Sequence, residues 1–226
     1  ALSSAASDVY KRQVYEEEYS MQVNFLSSQT RINLMRAFAG ESQARNRYTF
    51  AQQTALKKNL YAISEIFKFT ADEEKAHAEI FFDLLKESAG NTVEINSGYP
   101  ADVYDDIQKL LSSSVHNESE EHEIIYPSFA KTAVEEGFTK AASKFNLIAE
   151  IEKKHGERFS YYESLMKSER LFKSDKSEKW LCLNCGHIHE GSEAPLSCPV
   201  CGKNQGYFIR ADEAPFTASN IISLGE

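Results

Sequence analysis

Two Glu-x-x-His elements, Glu74-Lys75-Ala76-His77 and Glu152-Lys153-Lys154-His155, stand about eighty residues apart, each inside a long stretch whose apolar residues recur at helical spacing. Residues three apart share one face of an α-helix, so each element can offer one carboxylate and one imidazole to the same metal cluster. Glu41 lies upstream, in Ala-Phe-Ala-Gly-Glu-Ser, and Glu118 and Glu121 lie between the two elements, in Glu-Ser-Glu-Glu-His. Four helical segments thus carry Glu, Glu-x-x-His, Glu-x-x-Glu and Glu-x-x-His in that order. A two-metal site inside a helix bundle draws on such a set, two helices giving a Glu and two giving Glu-x-x-His. One Glu-x-x-His would mean little, since both residues are ordinary on solvated helix faces.

Five carboxylates with two imidazoles suit iron or manganese, hard ions that favour oxygen and a few nitrogens. Five glutamates bring five negative charges against four positive ones from two divalent ions. An oxo bridge added on oxidation returns the sum to about the same value, so redox change strands no large buried charge.

The cysteines make a second centre. Cys182-Leu-Asn-Cys185-Gly186 and Cys198-Pro-Val-Cys201-Gly202 are two knuckles that can present four thiolates to one tetrahedral ion. Four thiolates alone suit zinc and iron equally well, so a structural zinc ribbon remains open at this point. In a reducing compartment, clustered cysteines read as ligands rather than disulfides.

These groups need long helices to position them. The first is predicted from a cap at Ser27 or Ser28 to about Lys58, and the second from about Leu60 to Ser88, stopping at Gly90-Asn91. The aperiodic segment 90–100 exceeds a tight antiparallel turn and suits a long crossover that leaves the second and third helices parallel. The third spans roughly Asp102 to Glu136, with a kink expected at Pro127, and the fourth runs from Thr139 to Phe172 after Gly137. Gly40 costs a helix interior about 1 kcal/mol relative to Ala, which close helix approach around a buried site would justify. Residues 173–179 read as a polar linker.

With 34 acidic against 25 basic residues and no basic block, the chain has little to attract nucleic acid or an anionic membrane, and neither partner is expected. No apolar run approaches the ~18 residues that span a bilayer, and no basic-then-apolar leader opens the chain, so a cytoplasmic protein is expected. Residues 1–20 fit no element. Asp8 to Gln13 resembles translated adapter sequence ahead of a start at Met21, and the segment is expected to be a non-native or disordered extension.

The stretch 37–48 (Ala-Phe-Ala-Gly-Glu-Ser-Gln-Ala-Arg-Asn-Arg-Tyr), the segment Ala-Asp-Glu-Glu-Lys-Ala-His-Ala at 71–78, Tyr-Pro-Ser-Phe-Ala at 126–130 and the cysteine module together resemble rubrerythrin, over nearly all of residues 21–210. In the module the resemblance rests on Trp180, on Gly-x-x-x-Glu-Gly at 186–191 and on Cys-Pro-x-Cys, and it favours iron over zinc. It implies a mainly α fold: a ferritin-like four-helix diiron bundle over 21–172, the linker, a small rubredoxin-like four-cysteine domain over 180–210, and a tail over 211–226 that nothing in the sequence explains.

The resemblance also implies roles. Glu74 and Glu152 would bridge two non-haem irons, Glu41 and Glu121 bind one, and Glu118 and His155 bind the other. His77 would alternate with Glu121 as the oxidation state changes. The hydroxyls of Tyr48 and Tyr126 would hydrogen-bond ligand carboxylates and orient them. His122, four residues after Glu118, falls outside the pattern, and Glu120, Glu123, His116, His187 and His189 read as surface residues. The implied activity is that of a hydrogen peroxide reductase linked to NAD(P)H through an external electron-donor protein or reductase, with one iron held by Cys182, Cys185, Cys198 and Cys201 relaying electrons. A homodimer or higher oligomer is implied, with electrons crossing from one subunit's cysteine module to its partner's diiron site. A ferroxidase or iron-handling protein and a dioxygen-reducing oxidase are the alternatives.

Overall fold

The computed structural model describes residues 23–215. The expected N-terminal extension and residues 216–226 of the tail lie outside them. Five helices come first: α1 (Gln29–Lys57), α2 (Tyr61–Leu84), α3 (Ile107–Glu120), α4 (Tyr126–Glu135) and α5 (Thr139–Lys167). Helices α3 and α4 are one rod joined by a π-helical turn, Glu121–Ile125, so the bundle has four rods. α1 packs on α2, and the α3–α4 rod on α5. A three-stranded antiparallel sheet follows, β1 (Lys173–Cys182), β2 (Ile188–Glu193) and β3 (Phe208–Arg210), in the order β2-β1-β3.

Local chemistry sets the helix limits. Ser28 caps α1, its hydroxyl accepting from the Arg31 amide at 3.0 Å. Asp106 caps α3 through the Lys109 amide at 2.9 Å, so the third helix begins at Ile107 and not near Asp102. Asp102 instead holds Arg47 and Asn117 from the crossover, at 2.9 and 2.8 Å. Three helices end on one device: Asn59, Gly137 and Glu169 adopt φ of 60, 85 and 57°, and the next amide closes on the carbonyl five residues back. That turn at Glu169 stops α5 at Lys167, short of the expected Phe172.

Pro127 does not break the third rod. Lacking an N–H and crowding the preceding turn, it is accommodated by the wider π turn, in which the Tyr126 amide donates to Glu121 O. The expected linker 173–179 forms the first part of β1, where Lys173 pairs with Glu193 and Glu178 with Gly191 across an irregular register.

Two apolar clusters fill the bundle. One gathers Tyr48, Phe67, Leu111 and Phe159; the other gathers Phe81, Tyr126, Phe145 and Ile148. Along α1, α2, the third rod and α5, the charged residues Glu41, Glu74, Glu118 and Glu152 come between these clusters, fully buried. The sheet has its own small core around Trp180, Ala194 and Phe208. It rests on the α1–α2 turn: Tyr207 stacks on Tyr61 at 4.2 Å, and Ile209 packs with Ala62. Among the described residues no helix is long and apolar enough to cross a membrane.

Candidate metal centres

Glu74 and Glu152 face each other across the bundle from α2 and α5, and each divides its two oxygens between two groups. His77 Nδ1 lies 3.1 Å from Glu74 Oε2, 3.0 Å from Glu152 Oε1 and 3.7 Å from Glu41 Oε2. His155 Nδ1 lies 3.0 Å from Glu74 Oε1, 2.8 Å from Glu152 Oε2 and 3.6 Å from Glu118 Oε2. Two four-residue sets result, Glu41-Glu74-His77-Glu152 and Glu74-Glu118-Glu152-His155, each with donor atoms within 4.8 Å of one another. They share Glu74 and Glu152, the arrangement two adjacent ions need.

Burial makes this arrangement costly unless ions or protons neutralise it. Burial pushes the Glu41 carboxyl up to about 7, with His77 pulling the other way. It also drives Glu118 well above the ordinary range, with the Glu74 charge adding to the rise. Burial alone would lower His77, but Glu152, Glu41 and Glu74 carry it up to about 12; His155 rises against burial for the same reason, through Glu118 and Glu152. Glu41 Oε2, Glu74 Oε1, Glu118 Oε2, both Glu152 oxygens and His155 Nδ1 have no hydrogen-bond partner. Fully buried hard donors left open toward one another fit a pair of hard cations.

The remaining oxygens are held from outside. Tyr48 Oη donates to Glu118 Oε1, and Tyr126 Oη donates to Glu41 Oε1. Each tyrosine occupies one carboxylate oxygen and leaves the other facing the centre, which fixes the rotamers.

Glu121 belongs to neither close set. It is half-buried at the start of the π turn, and burial, then the charges of Glu41, Glu118, Glu152 and Glu74, raise its carboxyl well above the ordinary range. It therefore stands beside the centre while His77 occupies the place next to Glu41. Glu120, Glu123 and His116 are exposed. His122 Nδ1 lies 2.8 Å from the Ala149 carbonyl. Gly40 does not serve close helix approach, because a Cβ there would meet only Tyr99 Cε1 at 3.6 Å. At the site itself the closer glycine is Gly156, whose Cβ would lie in contact with Glu118 Cβ at 3.4 Å.

Glu73 escaped the sequence reading. Its Oε2 lies 3.2 Å from His155 Nε2, a charge contact rather than an aligned hydrogen bond, and 2.6 Å from Arg158 Nη1, which also donates to Thr70 at 2.8 Å. Burial would raise Glu73, but His155 and Arg158 hold it below the usual carboxylate range. The available signal was Arg158 itself, three residues past His155 and on its face.

In the cysteine module, Cys182 Sγ lies 3.8 Å from Cys201 Sγ and Cys185 Sγ lies 3.7 Å from Cys198 Sγ. A tetrahedral ion about 2.3 Å from each sulfur requires edges of about 3.8 Å. The knuckles mirror each other. Gly186 and Gly202, at φ of 76 and 71°, close onto Cys182 O and Cys198 O, and the amides that follow, His187 and Lys203, approach Cys185 and Cys201. The Lys203 amide lowers Cys201, whereas at Cys185 the His187 amide is outweighed by burial and the neighbouring thiols, which raise it, so the four sulfurs compete for charge until an ion shares it.

A four-rod bundle whose two carboxylate–histidine sets share two glutamates, followed by a four-thiolate module, defines a ferritin-like diiron-carboxylate protein with a rubredoxin-like domain. Comparison with known proteins agrees. The Rubrerythrin family model matches residues 33–162, and the model for the rubrerythrin rubredoxin-like domain matches residues 180–209. Rubrerythrin-1 of Clostridium acetobutylicum is 44% identical over 182 residues, covering 80% of this chain and 93% of its own. Rubrerythrin of Nitratidesulfovibrio vulgaris is 41% identical over 181 residues, covering 80% and 93%. Among solved structures, nigerythrin in its fully reduced, all-ferrous state aligns over 81% of this chain and 90% of its own, with a TM-score of 0.55 and 28% identity. The chain belongs to the rubrerythrin family, and it is an oxidoreductase with a candidate diiron-carboxylate centre and a rubredoxin-like four-cysteine centre.

Proposed function

We propose that the protein reduces hydrogen peroxide to water, H2O2 + 2 e⁻ + 2 H⁺ → 2 H2O, with electrons arriving singly from an external donor protein through the four-cysteine module. The observation that carries this reading is the sharing of Glu74 and Glu152 between two donor sets, which calls for two adjacent ions. Two irons held by these residues would supply the electron pair that breaking one oxygen–oxygen bond consumes, and an iron held by the four cysteines would supply single-electron delivery. The proposed ligands are Glu41, Glu74, His77, Glu118, Glu121, Glu152 and His155 in the bundle, and Cys182, Cys185, Cys198 and Cys201 in the module.

The chain's own part is positioning and proton handling. Glu74 and Glu152 set the spacing of the two sets. Tyr48 and Tyr126 orient Glu118 and Glu41, and their phenols carry protons at the edge of the site. Glu121, outside the close sets yet within their electric field, is the carboxylate proposed to exchange with His77. Aromatic packing above and below excludes bulk water. An electron carrier attached to the bundle favours this reading over iron storage, which needs none. Function as a dimer with cross-subunit electron delivery, in the cytoplasm, completes the proposal.

The test is anaerobic mixing of the fully reduced protein with one equivalent of hydrogen peroxide. Loss of two ferrous ions per peroxide, far faster than with air-saturated buffer, is expected. Faster consumption of ferrous iron and dioxygen than of peroxide would overturn the proposal in favour of a ferroxidase or oxidase.

A further inference from the structure

A groove of about 610 Å³ and mixed polar and apolar lining runs along the outside of the bundle between α3 and α5, walled among others by Ser119, His122, Glu152, Gly156 and Ser160. Glu152 is fully buried, yet it forms part of this wall, and neither of its oxygens has a hydrogen-bond partner. The groove therefore ends against one of the two glutamates shared by both donor sets, with the carboxylate itself buried just behind the wall. Along the bundle axis the way is closed in both directions. Tyr48, Phe67 and Phe159 pack ring to ring on one side along the bundle axis, and Phe81, Tyr126 and Phe145 do so on the other.

Two features keep the groove open at its deep end. Gly156 follows Glu152 by one turn, and with no side chain it leaves the wall beside Glu152 uncovered. The π turn at Glu121–Ile125 widens the opposing rod at the same level, where His122 reaches across to the Ala149 carbonyl of α5. Ser119, Ser160 and Ser164 line the walls beside Val115, Tyr161 and the charged Glu123, Lys153 and Glu157, and the Ser119 and Ser164 hydroxyls, which donate to the Val115 and Tyr161 carbonyls, are left as acceptors. That lining suits a small, neutral molecule that both donates and accepts hydrogen bonds. Glu123 and Glu157 outnumber Lys153 along it, so an anion is disfavoured.

We propose that this α3–α5 groove is the access route by which hydrogen peroxide reaches the carboxylate cluster at Glu152, with Ser160 marking its neck. This rests on the peroxidase reading for the identity of the molecule, but not for the existence of the route. Helix side chains lean toward the N-terminus and cover the turn before their own, so a large residue at the exposed position 160 would lie over Gly156 and close the neck. The same closure would slow a small chelator that draws iron out by this path.

The experiment compares the iron-loaded wild type with Ser160→Trp, Ser160→Leu and a control on the same helix away from the groove, Ser143→Trp. Iron content and melting temperature are measured first. Single-turnover oxidation by peroxide and removal of ferrous iron by bipyridine are then timed. Ser160→Trp is expected to keep two bundle irons and to slow both processes at least tenfold, with Ser160→Leu intermediate and Ser143→Trp unchanged. Should Ser160→Trp lose iron, Ser160→Leu against wild type decides. Wild-type rates in a variant that retains iron would overturn the route. If the wild type itself ignored peroxide, the functional reading would fail, and the bipyridine rates alone would still decide for or against the groove.

Discussion

Glu73 Oε2 lies 2.6 Å from Arg158 Nη1 and 3.2 Å from His155 Nε2, so one carboxylate ties a guanidinium to the imidazole whose other nitrogen faces Glu74 and Glu152. A carboxylate behind a metal-facing histidine fixes the ring and strengthens it as a donor, and its loss typically costs ~10–100-fold in metal affinity. Because Glu73 meets His155 by charge without an aligned hydrogen bond, Glu73→Ala should weaken metal binding by about tenfold, the low end of that range, measured by competition with a chelator. Glu73→Gln keeps an oxygen beside Nε2 and should lie closer to wild type. Unchanged affinity in Glu73→Ala would assign Glu73 to Arg158 alone.

Metal removal should make stability depend on pH. In the apo protein burial raises Glu41 to about 7, above its ordinary value of 4.5, and the neighbouring carboxylates raise His77 to about 12. Both groups favour the protonated folded state. Their contribution is therefore complete below the unfolded values and is lost as pH rises through the folded ones, for Glu41 between about 4.5 and 7. At ~1.4 kcal/mol per pH unit, Glu41 alone accounts for about 3 kcal/mol. Apo protein should melt about 5–10 °C higher at pH 5 than at pH 7.5, with the iron-loaded protein less sensitive. A flat apo profile in calorimetry would mean that these carboxylates are hydrated.

Gly206 packs its backbone against the α1–α2 turn so closely that a Cβ would fall 1.7 Å from the Asn59 carbonyl oxygen. Gly206→Ala must push the sheet off the bundle or distort it, at about 1–3 kcal/mol. Hydrogen exchange at residues 59–62 should accelerate, and the Tyr61–Tyr207 stack should be lost. Gly98→Ala, where nothing lies within 4 Å, should change neither.

The shared site was legible because its parts are local. Glu-x-x-His and Cys-x-x-Cys each encode a geometry within one helix turn or one knuckle, and the structure brings Glu41, Glu74, His77, Glu118, Glu152 and His155 together. Long-range features were not legible. The polar text of 173–179 becomes strand only because β2 offers it a ladder, and Glu73 reads as solvent-facing until α5 brings Arg158 beside it. Pro127 announced a disturbance in the third rod. The packing of that rod on α5 decides that the disturbance is a π turn at Glu121 rather than a break.

Metal stoichiometry in Glu152→Ala, set against Glu120→Ala, tests the central claim most directly. Glu152 faces both histidines at 3.0 and 2.8 Å, whereas Glu120, beside the proposed ligand Glu118, is exposed. Reconstituted Glu152→Ala should lose both bundle irons and keep the one in the cysteine module, as should its reaction with peroxide be lost, while Glu120→Ala should retain three irons and wild-type turnover. Equal iron content and equal turnover in the two variants would contradict a centre bridged by Glu152.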